Sequence, residues 1–129
     1  MPDIPDNVMT FLKEHIDSAE QVEMLRFLRN NADKEWTAQE ISRSLSTQRD
    51  SAAHRLAQFH SLGILVMKPA QDGPIYQYRP KTQGLDATIA ELAEAYSRYP
   101  VRVINLIYSK PIDKIRTFAD AFKLRKEDQ

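Results

Sequence analysis

The side chains in this chain whose types suit one shared task are cations and hydrogen-bond donors, and they gather between residues 41 and 81. Arg43, Arg49, Arg55, Lys68, Arg79 and Lys81 stand there against only Asp50 and Asp72, a local balance of +4. Residues 1–40 carry nine acids against four bases, and residues 82–129 eight bases against seven acids, so a chain of zero net charge concentrates its positive charge in the middle third. Guanidinium and ammonium groups at that density suit a phosphate backbone. A solvated face with a chance surplus is the plain alternative, since charge asymmetry only suggests a partner. Thr47, Gln48, Ser51, His54 and Gln71 lie among the cations. Such hydroxyl, amide and imidazole groups hydrogen-bond to phosphate oxygens or base edges.

Other chemistry finds few instruments. No cysteine is present, which excludes a disulfide framework and any thiolate metal site. His54 and His60 are six residues apart and share no helical face, and His15 is isolated, so no metal site is expected. Three glycines make no GxGxxG or phosphate loop, and no HExxH run occurs. Glu91 and Glu94 fall on the polar side of a helical pattern, where carboxylates are usually solvated. Neither a catalytic centre nor a cofactor is expected. At 129 residues and 42% apolar content the chain is one domain's worth. The start, Met1 to Asp6, lacks a basic and apolar leader, and apolar runs such as Ile64 to Met67 are far too short to cross a bilayer. A soluble cytoplasmic protein without a membrane partner is the expectation.

The elements that would position the polar set follow from periodicity. Asp6 after Pro5 reads as the cap of a short helix over residues 5–16, with Val8, Met9, Leu12 and Ile16 on one stripe. Ser18-Ala19-Glu20-Gln21 and Thr37-Ala38-Gln39-Glu40 are both capping boxes. The first opens a helix with Val22, Leu25 and Leu28 inward, widened by Met24 and Phe27; the second opens one carrying Ile41 and Leu45. After Ser46-Thr47-Gln48 a further helix runs through Ala52, Leu56 and Phe59 to Gly63, which suits a left-handed helix end. Ile64 to Met67 and Ile75 to Arg79 read as a hairpin across Ala70 to Pro74. Tyr76 and Tyr78 share one face of it and Ile75 and Gln77 the other; either pair can face inward. Trp36 stands where a short strand pairs with the hairpin. This order predicts a mostly α fold with a small β-hairpin wing: a winged helix-turn-helix with extra N- and C-terminal helices. The expected divisions are an N-terminal helix at 1–17, the winged domain at 18–82 and a helical extension at 83–129.

Ile41 to Leu65, ISRSLSTQRDSAAHRLAQFHSLGIL, lies without a gap on a pattern of the form LARxLGLSxSTVSRHLxxLxxxGLV. The segment therefore resembles bacterial winged helix-turn-helix transcriptional regulators of the multiple-antibiotic-resistance and arsenic types. The matches are Ile41, Leu45, Ala52, Leu56, Phe59, Gly63 and Leu65, which define fold rather than function. The resemblance implies a duplex-DNA reader with helix 48–62 in the groove and wing 64–79 beside it. Its candidate DNA contacts are Thr47, Gln48, Arg49, Ser51, His54, Arg55, Lys68, Gln71 and Arg79. The chain departs from the pattern at Gln48 and Asp50, where the family commonly carries Ser or Thr. With Ala52 inward, Asp50, Ala53, His54 and Ala57 point most directly outward, a sparse face for reading bases. Asp50 repels phosphate unless offset by Arg49 or His54, or accepts from cytosine N4.

Beyond Gly84, Leu85, Ile89, Leu92, Ala93 and Tyr96 mark another helix. Val101 to Tyr108 fits helix or strand by length, and Pro100 at its start tilts it to helix. Ile112, Ile115, Phe118, Ala119 and Phe122 mark a last one. So much apolar surface either folds back on the domain or meets a second copy, and self-association is favoured because an exposed stripe is a liability. In the regulators this chain resembles, flanking helices form a homodimer that sets two recognition helices about one DNA turn apart. Two functional classes fit: a DNA-binding regulator, favoured by the basic middle third, and a winged-helix adaptor that binds protein, favoured by zero net charge and the sparse face.

Overall fold

Local caps decide where the helices start. A computed structural model of the chain describes residues 4–109. In order they form α1 (Asp6–His15), α2 (Ala19–Asn30), β1 (Glu35–Trp36), α3 (Ala38–Leu45), α4 (Arg49–Ser61), β2 (Leu65–Lys68), β3 (Ile75–Tyr78), α5 (Gln83–Arg98) and α6 (Pro100–Tyr108). At α3 the expected box is complete: Glu40 N–H donates to Thr37 Oγ1 at 3.1 Å, and Thr37 N–H donates to Glu40 Oε1 at 2.9 Å. At α2 the Ser18 N–H donates to Gln21 Oε1 at 3.1 Å. The cap of α1 lies one residue earlier than predicted. Pro5, extended at φ −57° and ψ 150°, is the N-cap and Asp6 the first helical residue, because the Pro5 carbonyl already accepts from Met9 N–H at 3.0 Å.

Two left-handed residues end the central helices. Ser46 (φ 54°) closes α3 and opens the tight turn to α4, while Gly63 (φ 81°) ends α4 as its type predicts. At Gly63 a Cβ would fall 2.5 Å from Lys81 Cδ, so the Lys81 stem lies across this corner and Lys81 N–H donates to the Gly63 carbonyl at 2.9 Å. The three strands form one antiparallel sheet in the order β1-β3-β2, with Trp36 opposite Tyr76 and Leu65 opposite Tyr78. Tyr76 and Tyr78 are the pair that faces inward, both buried, with Ile75 and Gln77 half-buried opposite. Trp36 packs edge-on against Phe27 of α2.

One continuous core joins the six helices of the described residues. Met9 leaves the stripe assigned to it and is 44% exposed, and Phe11 is buried instead. The buried face of α1 runs through Val8, Phe11 and Leu12, and Met9 lies one helical step to the side. Residues 100–108 are helical, and their Val103 and Ile107 are buried one turn apart where α6 meets α1 and α5. This part of the extension therefore folds back on its own domain, tied further by the Ala19 N–H donating to the Tyr108 hydroxyl at 3.1 Å. Val101 and Tyr108 remain largely exposed. The last predicted helix, from Ile112, lies outside the described residues.

A buried amide locks the helix-turn-helix to its scaffold. Gln21 is fully buried; its Oε1 accepts from Asp17 N–H (2.6 Å) and Ser18 N–H, and its Nε2 donates to the His15 carbonyl (3.1 Å) and to Gln58 Oε1 (2.9 Å) on α4. Each such group left unpaired in the interior costs about 1–3 kcal/mol. Gln21→Leu, close in volume and without hydrogen-bonding atoms, is expected to lower unfolding free energy by roughly 3 kcal/mol or more in denaturant titration.

Candidate nucleic-acid interface

Burial of Ala52, Leu56 and Phe59 orients α4, and the opposite side is left to solvent. Asp50, Ala53, His54 and Ala57 are exposed there, as are Gln48 and Arg49 at the helix start. Gln48 makes no side-chain cap bond, so its amide is not spent on the helix end. On the wing, Gln71 and Arg79 are exposed; Gln71 sits in the turn closed by Gly73 N–H donating to the Ala70 carbonyl at 3.1 Å. Among the described residues, Arg49 and Arg79 enter no ion pair. The structure thus presents Gln48, Arg49, His54, Gln71 and Arg79 to solvent on the helix and the wing.

The other four candidates already have partners inside the protein. Thr47 Oγ1 donates to Glu20 Oε2 at 2.7 Å, and Ser51 Oγ donates to Glu20 Oε1 at 2.7 Å. Arg55 Nε lies 3.7 Å from Glu20 Oε1, and its Nη2 donates to Ser18 Oγ at 3.4 Å. All three are half-buried against the start of α2. Lys68 Nζ is 2.7 Å from Glu35 Oε2, across the sheet on β1, although both ends stay largely exposed. The positive charge counted along the chain is therefore partly answered by acids that sit far away in sequence. Arg43 and Lys81 remain as further cations near the turn and wing.

The wing is held at its root by a second carboxylate. Tyr78 donates its hydroxyl proton to Asp86 Oδ1 on α5 at 2.6 Å, and Arg29 Nε on α2 donates to the same oxygen at 3.3 Å. Burial, then the neighbouring carboxylate, push the Tyr78 hydroxyl well above the ordinary tyrosine range, so it stays a donor. Gln77 Nε2 adds a bond to the Ala32 carbonyl at 3.0 Å. Helix and wing are thus both referenced to α2.

Glu20 is the residue that sequence reasoning passed over. It belongs to a capping box and looks like one more acid of the acidic first third. Its partners are 27 and 31 residues away, and no local pattern marks such a contact. Among the described residues, no group of three or more His, Asp or Glu could hold a metal ion.

No protein-family model and no curated protein matches the chain. Solved structures do resemble it. A MepR mutant of S. aureus bound to an oligodeoxyribonucleotide aligns with a TM-score of 0.54 at 10% identity, over 95% of this chain and 87% of that one. A mutant MarR from E. coli complexed with operator DNA aligns at 0.51 and 15% identity, over 90% and 82%. A possible transcriptional regulator from Methanosarcina mazei aligns at 0.50 and 15%, over 75% and 82%. At such identities the likeness establishes the fold, a winged helix-turn-helix with helices before and after it, as the pattern at Ile41 to Leu65 led us to expect.

The Glu20 carboxyl is held below the ordinary glutamate range, first by the Ser51 hydroxyl, then by that of Thr47, with Arg55 adding charge and burial opposing. A carboxylate with a lowered folded pKa contributes stability above its unfolded value, about 4.3, and loses it as pH falls through the folded value. Wild type is therefore expected to lose stability more steeply than Glu20→Gln below about pH 4.3, read from unfolding midpoints across pH. Parallel acid limbs would remove Glu20 as the source.

Proposed function

We propose that this protein is a DNA-binding transcriptional regulator that places α4 in a major groove and rests its wing on the adjacent backbone. The observation that carries this reading is the solvent-facing side of α4, which no other helix covers among the described residues, with Arg49 at its start and Arg79 on the wing both exposed. Proteins of the same fold have been solved with operator DNA and with an oligodeoxyribonucleotide, which supports it. Arg49, at the first position of α4, and Arg79, at the wing exit, contact phosphate. Gln48 pairs with adenine, Asp50 accepts from a cytosine amine, and His54 hydrogen-bonds a base edge. Gln71 approaches the minor groove or backbone from the wing tip. Thr47, Ser51 and Arg55 serve behind this face, and Lys68 divides its charge between phosphate and Glu35. The protein works by binding, without catalysis or a cofactor. Among the described residues no helix is long and apolar enough to cross a membrane, consistent with work in the cytoplasm.

A homodimer completes the proposal. Residues 18–82 read DNA, while residues 83–129 with α1 carry assembly, using apolar side chains such as Met9, Val101 and Tyr108 that the fold leaves exposed. Two copies would present two α4 helices to half-sites about one turn apart. Val101→Glu, at a side chain 69% exposed, should shift sedimentation toward monomer and remove the dependence of melting temperature on protein concentration. An unchanged sedimentation coefficient takes Val101 out of the contact.

A second reading, a protein-binding adaptor, draws on one specific observation: Glu20 and Glu35 already offset Arg55 and Lys68. Salt titration of binding to random-sequence duplex separates the two. A phosphate-contacting protein loses affinity with a logarithmic slope of about −0.9 per contact. Arg49→Ala and Arg79→Ala should each flatten that slope by roughly 0.9. Arg55→Ala should leave it alone, and Glu35→Gln, which releases Lys68, should steepen it. No duplex binding at low salt would favour the adaptor.

A further inference from the structure

Helix α4 begins without the local cap that α3 and α5 have. Thr37 and Thr82 each accept from a backbone N–H of their own helix, whereas Gln48 makes no cap bond. Asp50 puts negative charge in the first turn, and the acceptors for the hydroxyls around the helix start come from another helix. Glu20 Oε2 takes the hydroxyl of Thr47, one residue ahead of the N-cap, and Oε1 takes that of Ser51, inside the first turn. One carboxylate thus spans the entrance to α4. It also sits in the first turn of α2, so the positive ends of two helix dipoles share one anion. Arg55, one turn beyond Ser51, closes the cluster, and the neighbouring Gln21 holds Gln58. The rear of α4 is gripped from its first turn to its last by two consecutive side chains of α2.

We propose that Glu20 is a positioning residue for the base-reading face: by holding Thr47 and Ser51 it sets the tilt at which Gln48, Asp50 and His54 meet a groove. The proposal rests on the DNA reading above. Base contacts depend on hydrogen-bond geometry and tolerate little displacement, whereas long cationic side chains follow a phosphate that moves. Loss of the grip therefore degrades discrimination between sequences and leaves charge-driven binding in place.

The test uses the full chain and two probes, a duplex selected from a random pool by the wild type and a random-sequence duplex. Glu20→Ala should weaken binding to the selected duplex roughly tenfold, with random-duplex affinity and salt slope unchanged. Thr47→Val with Ser51→Ala should do the same, and adding Glu20→Ala to that pair should cost nothing more, because the three act as one unit. Equal losses on both duplexes, additive losses, or lowered thermal stability with unchanged discrimination would each overturn the proposal. Amide exchange supplies a readout without DNA: Ala52 to Leu56 should exchange faster in Glu20→Ala while α5 is unaffected, and unchanged exchange overturns the grip itself. A wild type that binds neither duplex removes the DNA reading and the base-reading role with it, while the exchange result still decides whether Glu20 holds α4.

Discussion

The buried amide of Gln21 is the constraint on which the arrangement of this protein depends. A fully enclosed amide must find partners for both its donor and its acceptor, and here they come from three places: the end of α1, the start of α2 and the last turn of α4. Apolar packing alone tolerates a helix sliding or rotating by small amounts, because dispersion contacts are individually weak and non-directional. Hydrogen bonds in a dry interior are directional and costly to leave unmade. Gln21 thus turns an approximate helix packing into a single register. Glu20, one residue earlier, extends the same control to the entrance of α4.

The carboxylates decide how much positive charge the protein can offer to a partner. Along the chain the middle third holds a surplus of cations, but in three dimensions Arg55 faces Glu20 and Lys68 faces Glu35. The Arg55 pair is half-buried and acts on structure. The Lys68 pair is exposed, and an exposed pair is worth at most about 1 kcal/mol, so it yields to a better anion. Asp86 does comparable work at the wing root by accepting from both Tyr78 and Arg29. Each acid joins two elements far apart in sequence, and together they keep α4 and the wing in one frame with α2.

Much of the architecture was legible because its causes are local. The Thr37 box, the left-handed position at Gly63 and the proline at the start of α6 are each decided by a few neighbouring residues, and each is found where the spacing places it. Periodicity placed Ala52, Leu56 and Phe59 inward and left Asp50, Ala53, His54 and Ala57 outside. It was less sure in α1, where Met9 and Phe11 flank the same stripe and only the shape of the core chooses between them. In the hairpin, alternation left the tyrosine pair and the Ile75–Gln77 pair equivalent. Asp86, waiting on α5 to receive the Tyr78 hydroxyl, marks the side that turned inward.

By itself the sequence determined most of the helices, the hairpin, and that a helix-turn-helix precedes a wing, since caps, turns and apolar period act within a few residues; strand ends shifted by a residue, and residues 101–108 fitted helix or strand until they were packed. Only the tertiary structure decided which polar side chains remain available at the surface. Thr47, Ser51 and Arg55 look no different in the sequence from Gln48, Arg49 and His54. They are separated by an acid contributed from another helix, and the direction of a side chain in α4 acquires meaning only once α2 is packed beside it.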